Sequence, residues 1–279
     1  MTGIAAIIRS ALREDIGEGD HTTLATIPLF RKAVAEIMVK ENGIIAGIAL
    51  AGRIFKTVDR KIKVRVLKKD GAAVKKGDNI IRIYGPARSI LTAERLVLNC
   101  MQKMSGIATA THRLVQKVKG TGVKILDTRK TTPGIRILEK EAVRIGGGYN
   151  HRSGLYDMIL IKDNHVDMAG GIAKALEPAQ RYLIRKRKKL KIEIEVRNMR
   201  ELREALQCKI ADRILLDNFS VSGVRKAVKY IAGRVETEVS GGITEKNILL
   251  YAKCGVDFIS VGALTHSAKA MDMNLQVVK

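Results

Sequence analysis

The stretch DTRKTTPGIRILEKEAVRIGGGYNHRSGLYDMILIKDNH at 127–165 gathers Arg129, Lys130, His151, Arg152 and Lys162 around two apolar segments that read as strand ends. Guanidinium groups supply planar forks and lysines supply point charges, both suited to carboxylate or phosphate, so the cluster implies an anionic substrate. Basic residues on a chain this basic are ordinarily solvated surface. These differ because they flank buried-strand patterns and the Gly146-Gly147-Gly148 turn, where the backbone must bend sharply or come close to something. Lys162 has a second reading, as the Schiff-base lysine of an aldolase-type barrel with a desolvated amine, and the residues alone leave that open.

Glu195 and Asp217 end neighbouring strand patterns, which puts two carboxylates on one rim, able to hold Mg²⁺ or sugar hydroxyls; the plainer reading is pairing with nearby Arg and Lys. SGGIT at 240–244 and VGALTHS at 261–267 place small residues between a strand and a following helix. Free backbone amides and a helix N-terminus at such loops suit a phosphate, although glycines also serve plain turns.

The elements that must position these groups fall into two textures. In the first hundred residues, the alternation in KVRVL and the turn signals Lys69-Asp70-Gly71 and Lys76-Gly77-Asp78 predict an antiparallel, half-exposed sheet. A long helical pattern follows over 87–119, with Gly106 as its weak point. After Gly122 come VKILDT, MILIKDN, KIEIEV, RILLDN, VETEVSGG and FISVGA, short apolar runs ending in polar or Gly clusters, with helices predicted at 168–188, 199–208 and 221–232. That rhythm predicts an α/β barrel or a doubly wound sheet. The barrel is preferred because polar residues sit at nearly every strand's C-terminal end, where barrel enzymes keep their chemistry.

The net charge of +23 favours acidic partners, nucleic acid among them. Against that, Trp is absent, Phe and Tyr are few, and no aromatic interleaves with a basic run. IRKRKKLKI at 184–192 reads as a solvated face at a helix C-terminus. Cys100, Cys208 and Cys254 lack zinc or redox spacing and read as thiols in a reducing cytoplasm. No apolar run approaches the roughly 20 residues of a membrane span, so the expectation is a cytoplasmic protein with neither nucleic acid nor membrane as partner.

Several motifs in register resemble the quinolinate phosphoribosyltransferase family: LREDIGEGDHTT at 12–23, ERLVLNCMQKMSGIATAT at 94–111, DTRKTTPG at 127–134, GGGYNHRSGLYDMILIKDNH at 146–165, then IEIEV, LLDN, SGGI and SVGALTHS. The resemblance implies an N-terminal α/β sandwich domain (1–110, with 268–279 packing back on it) and an incomplete TIM-like α/β barrel (111–267). It also implies a homodimer or higher oligomer with a shared active site. The implied reaction makes nicotinate mononucleotide, pyrophosphate and CO2 from quinolinate and phosphoribosyl pyrophosphate with Mg²⁺. Arg129, His151, Arg152 and Lys162 would hold the quinolinate carboxylates, with Thr128 beside them and Arg95 reaching in from the other subunit. Lys130, Glu195 and Asp217 would bind the donor and its metal, while Ser240, Gly241, Gly242, Gly262 and Ala263 would cradle the 5-phosphate.

Two residues depart from the family pattern: Arg197 stands where an acidic residue is usual, and His21 where an apolar one is. A paralogue associated with molybdenum transport shares the implied fold and is the alternative within the superfamily. An aldolase using Lys162 and a nucleic-acid binder using the basic face are the alternatives outside it.

Overall fold

The computed structural model describes residues 3–278. In chain order the elements are α1 (Ile4–Ile16), α2 (His21–Thr26), β1 (Lys32–Val39), β2 (Gly43–Ile44), α3 (Ile48–Val58), β3 (Lys63–Val66), β4 (Ala73–Val74), β5 (Asn79–Pro86), α4 (Ala87–Lys117), β6 (Lys124–Leu126), α5 (Arg136–Ile145) and β7 (Ile159–Ile161). They continue with α6 (Asp163–Ala169), α7 (Ile172–Lys186), β8 (Ile192–Val196), α8 (Met199–Cys208), β9 (Arg213–Asp217), α9 (Val221–Ile231), β10 (Glu236–Ser240), α10 (Ile248–Ala252), β11 (Phe258–Ser260), α11 (Ala263–His266) and β12 (Met273–Val277).

The chain folds into two compact units. The first comprises Met1–His112, Thr131–Gly147 and Ala263–Lys279; the second comprises Arg113–Lys130 and Gly148–Gly262.

In the first unit a four-stranded sheet runs β12-β1-β5-β3 with every neighbouring pair antiparallel. Ala35, Ile37 and Val39 of β1 and Ile81 and Ile83 of β5 are fully buried, and α3 adds Leu50, Ile54 and Phe55 to the unit's core. Each of these side chains larger than alanine contributes about 1.5–3 kcal/mol relative to exposure. On β1, Glu36 accepts hydrogen bonds from Asn79 and Arg82 of β5, which satisfies its carboxylate.

Helix α4 runs unbroken through Gly106, and the reason lies in packing. Its Ser105 and Thr109 hydroxyls accept the Ala46 and Ile44 amides at 2.9 Å each. A Cβ on Gly106 would sit 2.1 Å from the Lys269 carbonyl oxygen. Backbone cannot yield as a side chain can, so Gly106→Ala is expected to destabilise the protein by about 1–3 kcal/mol, read as a lowered urea midpoint at unchanged slope.

In the second unit six parallel strands run β6-β11-β10-β9-β8-β7. Among the described residues the edge strands β6 and β7 do not pair with each other, and β6 instead makes a single parallel bridge, Leu126 with Tyr149. The sheet is therefore open, as in an incomplete barrel.

Because strand side chains alternate between faces, one face carries Ile192, Ile194, Val196, Ile214, Leu216, Val239 and Ile259, all buried. The opposite face carries a polar set in register. Glu193 and Glu236 both pair with Arg213, Glu195 and Glu238 both pair with Leu215, and Ser240 pairs with Asp217. Helices α8 and α9 start at Asn198 and Ser220, whose side chains accept amides of the first turn.

Three details differ from the sequence-based expectation. The helix expected over 168–188 is two helices, α6 and α7, because Gly170 and Gly171 both adopt positive φ. After SGG the next helix starts only at Ile248, and after Gly262 the helix is one four-residue turn. The segment between β6 and β7 does not return a barrel helix to the second unit: α5 belongs to the first.

Candidate active site

The site-forming groups of the second unit lie at the C-terminal ends of its strands. Asp127, just past β6, is fully buried, and its Oδ1 accepts the His151 amide at 2.8 Å. That bond ties the loop carrying His151 and Arg152 to the end of β6, next to Thr128, Arg129 and Lys130. Thr128 Oγ accepts the Lys130 amide at 3.0 Å, and the Lys130 residue is exposed.

Arg152 is partly buried, and its guanidinium is held below its ordinary pKa first by burial and then by the Arg129 charge, with Glu193 and Asp157 acting in the opposite direction. Two guanidinium groups close enough to repel, partly withdrawn from water, form a cationic site that an oligo-anion would stabilise.

Lys162 follows β7, and its Nζ lies 3.6 Å from Glu195 Oε2. The lysine side chain is about half exposed, unlike the desolvated amine that Schiff-base chemistry needs. Burial raises the Glu195 pKa, Lys162 lowers it, and Asp217 raises it again, so the two carboxylates on β8 and β9 feel each other's charge. Asp217 is fixed from both sides: Oδ1 accepts the Ser240 hydroxyl at 2.7 Å and Oδ2 accepts Asn218 Nδ2 at 2.6 Å.

The glycine loop after β10 is shaped by close approach. Gly241 has φ +88°, and a Cβ there would meet Asn218 Oδ1 at 2.1 Å. Gly242 has φ +60°, and its carbonyl accepts Asn247 Nδ2 at 2.9 Å. Gly262 follows β11 and closes the second unit, whereas Ala263 opens α11 and falls in the first. Arg95 is exposed on α4, also in the first unit.

His151 is placed differently from a simple anion ligand. Its ring Nδ1 accepts the Arg152 amide at 2.7 Å, and its Nε2 lies 3.0 Å from Glu193 Oε2 and 3.5 Å from Glu238 Oε2. The ring thus faces two carboxylates inside the second unit. Glu193, Glu238 and Arg213 were not singled out in the sequence reading, although charges at alternate positions of IEIEV and ETEVS were a visible signal.

The two departures also find places. Arg197 forks onto Asp167 at 2.9 and 3.0 Å and onto Glu201, which raises its pKa. Its guanidinium is therefore engaged with α6 and α8. His21 is exposed at the start of α2, which Asp20 caps.

Comparison with known proteins agrees with this architecture. Residues 20–105 match the family model "Quinolinate phosphoribosyl transferase, N-terminal domain", and residues 107–276 match the corresponding C-terminal domain. The chain is 45% identical to a chloroplastic carboxylating nicotinate-nucleotide pyrophosphorylase of Oryza sativa, over 98% of this chain and 77% of that protein. It is 43% identical to a probable carboxylating nicotinate-nucleotide pyrophosphorylase of Bacillus subtilis, over 95% of this chain and 90% of the relative. The solved nicotinate-nucleotide pyrophosphorylase of Francisella tularensis superposes with a TM-score of 0.90 at 41% identity, covering 99% of this chain and 96% of that one. With both of its domains matched in order over nearly its whole length, the chain belongs to the quinolinate phosphoribosyl transferase family.

Proposed function

We infer that the protein transfers the phosphoribosyl group of phosphoribosyl pyrophosphate to quinolinate with loss of CO2, giving nicotinate mononucleotide and pyrophosphate, a step of de novo NAD biosynthesis. The observation that carries this reading is the adjacency, on one set of strand ends, of a repelling arginine pair and a coupled carboxylate pair, in a chain of this family.

Arg129 and Arg152, with Lys162 and the partner-contributed Arg95, bind and orient the quinolinate dianion. The chemistry needs no covalent nucleophile. As pyrophosphate leaves, positive charge grows on the ribose ring, and the fixed Asp217 and Glu195 carboxylates oppose that charge. Attack by the pyridine nitrogen then gives a ring cation; as the adjacent carboxylate departs as CO2, the electron pair of the broken bond stays on the ring carbon, stabilised by the neighbouring cationic nitrogen, and that carbon takes a proton from water. The cationic pocket acts mainly by holding the nitrogen in line, an entropic contribution. Lys130 would neutralise donor phosphate, and the amides of 240–242 and 262–263 would hold the 5-phosphate.

Mg²⁺ fits the donor set: Glu195 and Asp217 are hard oxygen ligands whose mutual repulsion a cation relieves, and Mg²⁺ commonly takes only one or two carboxylates plus substrate phosphates. When bound, it would neutralise the leaving pyrophosphate. A homodimer is proposed because Arg95, exposed on α4, is the family's contribution to the neighbouring subunit's pocket.

No helix among the described residues is long and apolar enough to cross a membrane. The cysteines are free, and burial pushes the Cys100 thiol up to about 11, so a reducing compartment such as the cytoplasm suits them.

The test is to incubate the protein with quinolinate, phosphoribosyl pyrophosphate and Mg²⁺. Nicotinate mononucleotide and CO2 should appear in equal amounts and only with all three present. Folded protein that yields neither would overturn the reading.

A further inference from the structure

Beneath the strand-end groups lies a buried ionisable cluster that the reaction does not use. One ring nitrogen of His151 and one oxygen each of Glu193 and Glu238 lie within 4.8 Å of one another. The Glu193 side chain is 0% exposed, Glu238 1% and His151 7%. Arg213 Nη1 donates to Glu238 Oε2 at 2.9 Å, its Nη2 donates to Glu236, and the Ser260 hydroxyl donates to Glu238 Oε1.

Charge and hydrogen-bond accounting restrict what this cluster can be. Because His151 Nδ1 accepts the Arg152 amide, the ring is the neutral tautomer with its proton on Nε2. Two ionised glutamates buried side by side repel each other, while the nearby cations are only partly available to them: Arg213 is shared with Glu236, and Arg152 is only partly buried and also faces Asp157. With both glutamates ionised, moreover, neither buried oxygen of Glu193 has an aligned hydrogen-bond donor. One proton on Glu238, given to Glu193, removes both problems: the repulsion between the two carboxylates is lifted and the Glu193 carboxylate gains a donor.

We propose that Glu238 carries this proton, and that the hydrogen-bonded Glu238–Glu193 pair is a positioning device that locks the His151 ring and, through Nδ1, the backbone that presents Arg152 to the substrate. His151 then acts through Arg152 and is not itself a ligand of the substrate carboxylate. Glu193 has a second effect, since its charge partly offsets the repulsion between Arg152 and Arg129. Burial, first, and the neighbouring Glu193 push Glu238 up to about 7. The proposal rests on the reading of Arg152 as a quinolinate-binding residue, and one arm of its test does not involve turnover.

That arm is the imidazole ¹⁵N spectrum of histidine-labelled protein, with His151→Gln assigning the resonance. Expected is a neutral His151 with unprotonated Nδ1 from pH 6 to 8; an imidazolium, or a proton on Nδ1, would overturn the proposal whatever the enzyme does.

The kinetic arm uses two variants. Glu238→Gln, a permanent neutral donor, should keep the quinolinate KM within about threefold of wild type, and should abolish the rise in that KM that wild type shows as pH passes upward through about 7. Glu238→Leu should raise the quinolinate KM at least tenfold with the donor KM unchanged. The same alkaline rise in Glu238→Gln, or equal increases in both KM values in Glu238→Leu, would overturn it. If wild type turns over no quinolinate, the functional reading fails while the tautomer result still decides the positioning claim.

Discussion

Arg152→Leu is expected to lower kcat/KM for quinolinate by about one to four orders of magnitude while leaving the fold intact. A half-buried guanidinium on a carboxylate makes one or two charge-assisted hydrogen bonds worth about 1.5–3 kcal/mol each, and about 1.4 kcal/mol corresponds to a tenfold change. The loss should appear mainly in the quinolinate KM, because Arg152 holds substrate and transition state alike. The KM of the phosphoribosyl donor should move less than threefold. Stability should not fall, and a small gain is expected, since removing one of two mutually repelling arginines relieves the strain that burial and Arg129 place on Arg152. Steady-state kinetics with each substrate varied in turn, alongside thermal denaturation, checks both parts. A drop below tenfold would remove Arg152 from the pocket.

Gly241→Ala is expected to be nearly as damaging, by a different route. Two penalties coincide: φ of +88°, where L residues are strained, and a Cβ 2.1 Å from Asn218 Oδ1 and 2.9 Å from the Asn218 backbone nitrogen. The side chain of Asn218 could swing away, but its backbone could not, because its amide donates to the Ser240 carbonyl at 3.0 Å. Relief therefore requires Asn218 to release Asp217, which loses one of its two fixed partners. The expected result is a stability loss of about 1–3 kcal/mol, together with a fall of about 10²-fold or more in kcat/KM for the phosphoribosyl donor, in line with losing one preorganised electrostatic contact. Gly242→Ala, with nothing within 4 Å of its Cβ, should cost only backbone strain and serves as the control.

The strands of the second unit were legible because short apolar runs such as RILLD end in polar residues, and the order of those runs along the chain carried the fold. The acidic pair Glu195 and Asp217 and the glycines 241 and 242 were legible for the same reason: each sits at a strand end. What the sequence hid is tertiary. IEIEV looks like an apolar strand with incidental charges, and only the register with Arg213 and Glu238 reveals that Glu193 is an interior group. His151 reads as one more cation in NHR, whereas its ring faces away into that interior. The helical pattern of RILEKEAVRI gives no hint that α5 belongs with the first unit, because its buried Leu138, Ala142 and Val143 fit any apolar surface.

The excursion of residues 131–147 out of the second unit, and of α4 into it, sets a limit on dissection. The two family models meet between residues 105 and 107, in the middle of α4. A cut there severs an uninterrupted helix and removes the Ser105 hydroxyl from the half that keeps Thr109. A fragment spanning 113–262 would still carry α5 as an orphan, with its apolar face stripped of its own unit. The two units are interleaved along the chain, so neither is a portable module, and swapping the first unit between relatives demands transplanting three separate segments at once.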